Sequence, residues 1–156
     1  FDNPIPDGVD PLVIAFREQV AKVSVGIMAI IERAIKENVS LVMDGIHIVP
    51  GFIKKEYFQK ANIAFVIISI NDRELHKERF LIRENQTLVR RQAKKYLDNF
   101  ENIRKLQDYI ISLAKTYEVP VIDNVDMDRT VEGVLEYITE FMKDIVRPDY
   151  SKLLSG

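Results

Sequence analysis

Ser40-Leu41-Val42-Met43-Asp44-Gly45-Ile46-His47-Ile48-Val49-Pro50-Gly51 is the stretch on which the fold turns. Its apolar run predicts a buried strand, interrupted by one carboxylate and one glycine and closed by a Pro-Gly turn. A charge buried in such a strand is costly unless something pairs or coordinates it. Asp44 therefore asks for a partner. A metal ion at the end of a parallel strand is one explanation, and hydrogen bonding to nearby backbone at the strand end is the other. These residues alone leave both open.

Upstream, residues 1–10 contain Pro4 and Pro6 and read as an extended lead-in. Asp10-Pro11 is an N-cap followed by proline at the first helical position. Leu12, Phe16, Val20, Val23, Ile27, Ile31, Ala34 and Ile35 then recur at three- and four-residue steps, which predicts a long amphipathic helix ending near Asn38. At 1.5 Å per residue it would span roughly 40 Å, enough to cover a sheet face.

Downstream, residues 53–59 suit a short helix, and the apolar run Ile63 to Ile70 suits a strand covered on both faces. Asp72 would cap a second helix running to about Arg83, with a loop over 84–88. A third, highly charged helix is predicted from Val89 to Tyr117, then a short strand at Val119–Ile122 ending in Asp123-Asn124. Asp128 would start a last helix, Val131 to Ile145, which Arg147-Pro148 stops. Helices alternating with apolar strands predict an α/β fold with a mostly parallel sheet. The three predicted strands are fewer than the five or so usual for such sheets. The domain proper would cover residues 11–146, with 147–156 as a tail.

The chain has 156 residues, the size of one domain or a large piece of one. A net charge of -2 gives no basic footprint for nucleic acid or an anionic membrane surface. No apolar run approaches the length needed to span a bilayer, and no signal peptide opens the sequence. The absence of cysteine fits a cytoplasmic protein, and two histidines, His47 and His76, do not make a zinc site. The first residue is Phe1 rather than Met, so a processed or partial polypeptide is expected.

Ligands of open parallel sheets bind at the carboxyl ends of the strands. Asp44, Asp72 and Asp123-Asn124 would all reach that edge. A helix cap accounts for Asp72 without any ligand. The series Asp72-x-x-Leu75-x-x-x-Arg79-x-x-x-Arg83 puts two guanidinium groups on one helical face, followed by Arg90-Arg91. Arginine forks match phosphate oxygens, and on a mobile helix-loop they would close over a polyphosphate. The alternative is a solvated face in which Glu78 and Glu84 pair with these arginines.

In this order, the motifs resemble the P-loop small-molecule kinases, most closely the archaeal 2-phosphoglycerate kinases. The carrying segments are Asp10-Pro11 to Gln19; Val23-Ser24-x-Gly26-Ile27; Ser40 to Gly51; His76-Lys77-Glu78-Arg79-Phe80 with Arg83; Tyr96-Leu97-x-Asn99-Phe100-x-x-Ile103-Arg104-x-x-Gln107-x-Tyr109-Ile110; and Val119 to Asn124. The resemblance implies ATP-dependent phosphorylation of 2-phosphoglycerate, a small phosphorylated acid, with Mg2+. It implies a Walker-B role for Asp44 as the magnesium-side carboxylate, and a lid role for Arg79 and Arg83. Asp123 and Asn124 would lie near the adenine, while His47, Lys77, Arg90 and Arg91 would approach substrate phosphate. For His47, packing within the strand is the stronger expectation.

One departure stands out. No G-x-x-x-x-G-K-[ST] occurs anywhere in the sequence. In the family that phosphate loop precedes the segments matched here, on the first strand of a 2-3-1-4-5 sheet. This chain would then be a C-terminal portion, with its strands at 41 and 63 flanking an empty slot, and would not turn over ATP alone. A homo-oligomer that fills the slot is a further expectation. The competing readings are a non-catalytic regulatory module of kinase-like fold and a P-loop kinase for another small metabolite.

Overall fold

A computed structural model of the chain describes residues 8–86 and 91–146. Along these residues run α1 (Pro11–Glu37), α2 (Lys55–Lys60), β1 (Ile67–Ser69), α3 (Arg73–Gln86), α4 (Arg91–Asp98), α5 (Phe100–Thr116), β2 (Val121–Asp123) and α6 (Met127–Val146). β1 and β2 pair in parallel, with Ile67, Ile68 and Ser69 opposite Val121, Ile122 and Asp123. The α/β class with a parallel sheet is as expected. Among the described residues the sheet is smaller than expected, with two short strands in place of three. The lead-in up to residue 7 and the tail from residue 147 lie outside the described residues.

α1 begins as its sequence dictates. The Asp10 carboxylate accepts from the Leu12 N–H at 2.9 Å, Pro11 takes the first turn, and Asn38 ends the helix in the left-handed region with φ 51°. Lys105 on α5 donates to the other oxygen of Asp10 at 2.7 Å. This bond, together with the Leu12 N–H, holds the Asp10 carboxyl below its ordinary range. The buried stripe of α1 runs through Val13, Phe16, Val20, Ser24, Ile27 and Met28. Val23, expected on that stripe, is exposed, and Ser24 takes the position because its hydroxyl is satisfied by the Ala21 carbonyl at 2.9 Å.

The core lies between α1, α5 and the turn after residue 48. Phe16, Val20, Val49, Phe52 and Leu113 are buried together, with Leu106, Tyr109, Ile110 and Tyr117 packed around them. The edge of the Phe16 ring meets Tyr109 at 6.4 Å, and Arg17 donates to the Tyr109 hydroxyl at 2.7 Å. Gly51 has φ 83°, and a Cβ there would come within 2.5 Å of the Tyr117 ring. Only glycine fits that close approach.

The segment from Ser40 to Gly51 departs from expectation. It forms no strand: Val42 is 96% exposed, and burial begins only at Val49 and Pro50. A strand needs a partner for its backbone N–H and C=O groups, and among the described residues none lies beside this segment. The strand predicted over 63–70 is likewise reduced to its last part, the part that β2 pairs.

Three boundaries also move. α3 continues through Gln86, over part of the predicted loop. The single predicted helix over 89–117 is broken at Asn99, whose amide donates to the Lys95 carbonyl at 2.9 Å and competes with the helical ladder. α6 starts earlier than expected because its cap is Asp126 rather than Asp128, with the Arg129 N–H donating to Asp126 Oδ1 at 2.9 Å.

Candidate functional site

The carboxyl ends of β1 and β2 form the edge where the candidate residues gather. Beyond Ser69, the Asn71 N–H donates to Asp123 Oδ1 at 2.9 Å, joining the chain after β1 to the last residue of β2. The Asn124 N–H donates to the Ser69 carbonyl at 2.7 Å, and the Thr130 hydroxyl donates to Asn124 Oδ1 at 3.0 Å. Asp123 and Asn124 thus each spend one side-chain oxygen on fixing this edge. Asp72 caps α3, accepting from the Leu75 N–H at 2.9 Å, which is the ligand-free account of that residue.

Arg79, two turns into α3, reaches the same edge and donates to the Val125 carbonyl at 3.0 Å. It therefore bonds backbone beyond β2 rather than Glu78. A guanidinium held by a carbonyl remains fully charged and keeps further N–H donors, which suits it to an anion. Lys77 pairs with Glu74 at 2.9 Å, and its ammonium lies 5.3 Å from the centre of the Phe100 ring. Arg83 lies one further helical turn along α3 and Arg91 is the first residue of α4, whereas Arg90 lies outside the described residues.

Among the described residues, neither Asp44 nor His47 bonds to this network. Asp44 is exposed in an unpaired segment, so the cost of burial that first drew attention to it does not apply here. His47 is half-buried and stacks on Phe16 at 5.9 Å, as expected of a packing residue. Among the described residues, no cluster of three or more His, Cys, Asp or Glu could hold a metal ion. An exposed lone carboxylate still suits Mg2+, which keeps several waters and takes one or two carboxylates plus substrate phosphates rather than a protein cage.

Sequence reasoning gave no role to His76, Arg104 or Gln107. His76 is buried between Phe80, stacked at 5.1 Å, and the edge of Phe100 at 5.4 Å. Phe80 in turn stacks on Tyr96 at 5.0 Å, so this aromatic row joins α3 to α4 and α5. Burial, and secondarily the Arg104 charge, push the His76 pKa below its ordinary 6.5. The folded chain therefore takes up this proton later than the unfolded chain as pH falls. The resulting stability is complete above about pH 6.5 and is lost from there down to the folded pKa. Urea midpoints measured from pH 7.5 to 5 should fall, and His76→Phe should flatten the decline. An equal decline in both proteins would exclude His76 as its source.

Arg104 and Gln107 stand three residues apart on α5, one helical face, and both reach Ile70. The i,i+3 spacing shows in the sequence that the two share a helical face, but not what that face meets.

No helix of the described residues is long and apolar enough to cross a membrane. No family model and no solved structure matches the chain. Among curated proteins, a 2-phosphoglycerate kinase of Methanothermobacter thermautotrophicus is 39% identical over 137 residues, covering 88% of this chain and 45% of that protein. Another from Methanopyrus kandleri is 35% identical and covers 94% of this chain and 42% of its own length. A third, from Pyrococcus furiosus, is 37% identical and covers 88% and 44%. The chain thus spans less than half the length of the curated relatives it matches. Over most of its own residues it is a homologue of the archaeal 2-phosphoglycerate kinases.

Proposed function

We propose that this chain forms part of an ATP-dependent kinase that phosphorylates 2-phosphoglycerate to 2,3-bisphosphoglycerate. The observation that carries the reading is 39% identity over 137 residues to a protein named 2-phosphoglycerate kinase. In the reaction, the free hydroxyl oxygen of the acid attacks the γ-phosphorus of ATP. The bond from that phosphorus to the β,γ-bridging oxygen breaks, ADP leaves, and the hydroxyl proton is released.

In this reading the fold is of P-loop kinase type. The exposed Asp44 would help to hold the nucleotide's magnesium, directly or through water, and the metal would neutralise charge on the phosphates. Arg79 and Arg83 belong to a lid that stabilises charge on the transferring phosphoryl group. Asp123 and Asn124 border the adenine side, and the oxygen that each holds in the strand-end network keeps that border rigid. Lys77, Arg90 and Arg91 supply positive charge towards the substrate phosphate, with His47 contributing through its packing on Phe16. The phosphate loop that such chemistry needs is not encoded in these residues.

A chimera tests this directly. In it, the present chain replaces the matched 137-residue segment of the Methanothermobacter protein. ATP consumption is measured across a panel of phosphorylated three-carbon acids, with the parental Methanothermobacter protein as control. The expected result is fastest turnover with 2-phosphoglycerate. Equal or faster turnover with another acid would favour a kinase for a different metabolite, and a folded chimera inert towards all of them would favour a regulatory module.

A further inference from the structure

We infer that Gln107 and Arg104 form a splint that positions the lid arginine Arg79, making them positioning residues for phosphoryl transfer. The functional half of this inference rests on the kinase reading above. Its structural half stands on the geometry alone.

β1 ends at Ser69, and among the described residues Ile70 has no strand partner. The Gln107 amide substitutes for one. Its Oε1 accepts from the Ile70 N–H at 3.2 Å, while its Nε2 donates to the Ile70 carbonyl at 3.0 Å. This reciprocal pair is what a neighbouring strand would offer. Arg104 adds a second arm, with Nη1 donating to the Ile70 carbonyl at 2.5 Å and Nη2 to the Asn71 carbonyl at 3.1 Å. Asp123 takes the Asn71 N–H from the other side at 2.9 Å. The two residues before Asp72 are therefore held from both α5 and β2.

Asp72 is the cap from which α3 departs, so the direction of α3 is set by this clamped turn. Arg79 sits on that helix and reaches the backbone after β2. A small rotation at residues 70–72 would move its guanidinium along the strand-end edge. Positioning of this kind governs turnover, because a displacement of about 1 Å at a reacting centre costs up to a hundredfold in rate. Only a side chain with both a donor and an acceptor at its tip can make the Gln107 pair, which methionine of similar length cannot.

The test is a double-mutant cycle in the chimera described above. Gln107→Met should lower kcat roughly tenfold and change the KM for the acid less than twofold. In an Arg79→Gln background the same change should lower kcat less than twofold, because the residue it positions is gone. Full multiplication of the two losses, or an unchanged kcat in the single variant, would overturn the splint's role in transfer. Gln107→Glu keeps the acceptor for the Ile70 N–H but loses the donor, and should fall between Met and the unmutated chimera. Amide exchange supplies a readout free of activity. The Ile70 and Asn71 amides should exchange at least tenfold faster in Gln107→Met while Ile68 is unchanged, and unaltered exchange at Ile70 would overturn the splint itself. An inactive unmutated chimera would instead count against the kinase reading, with the exchange result still deciding the splint.

Discussion

Asp44→Asn in the chimera should lower kcat by about a hundredfold or more while leaving the thermal midpoint unchanged. The reasons are local. Asp44 is exposed and lies in a segment without ladder bonds, so an isosteric amide costs the fold nothing. The substitution removes one negative charge from the only carboxylate in the stretch 40–51. An amide binds magnesium far more weakly, and the loss should deepen as Mg2+ is lowered and recover in part as it is raised. Undiminished turnover at limiting Mg2+ would remove Asp44 from the metal's surroundings. A collapse of the midpoint would show that the carboxylate supports the fold instead.

Replacing Arg79 and Arg83 together with Gln should reduce kcat by about a thousandfold, on the scale set by removal of a charge-stabilising arginine in phosphoryl transfer. Gln retains hydrogen-bonding capacity but no charge. The bond from Arg79 to the Val125 carbonyl is therefore the smaller part of the loss, and the missing charge on the transferring group is the larger. Separate Gln variants would divide the effect between the two positions. If only the thermal midpoint fell, with kcat intact, the arginines would be ordinary surface residues and α3 would not be a lid.

How legible this was in the sequence varied with the range of the forces involved. α1 was readable to within a residue or two because its cap, its proline and its terminal Asn38 are local signals. The parallel pairing of β1 and β2 followed from two apolar runs separated by helices. Ser40 to Gly51 was misread because its apolar character states only a demand for partners. Whether partners are present is a property of the surrounding chain, and in this structure Leu41, Val42 and Ile46 stay exposed. The break at Asn99 was missed because one side-chain bond to Lys95 outweighs an otherwise continuous helical pattern.

The site was legible in a similar measure. Asp72 and Asp123 were expected at the strand ends and do gather there, and Arg79, expected on the face of a lid helix, reaches the same edge. Asp44 was expected at a strand end too, but its segment forms no strand. What holds the backbone just before Asp72 was not foreseen. Gln107 and Arg104 lie more than thirty residues from the backbone they hold, and no local pattern announces a contact at that separation. The aromatic row of His76, Phe80 and Tyr96 was hidden in the same way, since its members come from two helices.

The most direct measurement is the phosphorus NMR spectrum of 2-phosphoglycerate, ATP and Mg2+ incubated with the folded chimera. The expected result is loss of the γ-phosphate resonance of ATP matched one for one by a second phosphate ester on the acid, giving 2,3-bisphosphoglycerate. Release of inorganic phosphate without a new ester, or an unchanged spectrum from a folded chimera under conditions where the parental protein forms the ester, would contradict it.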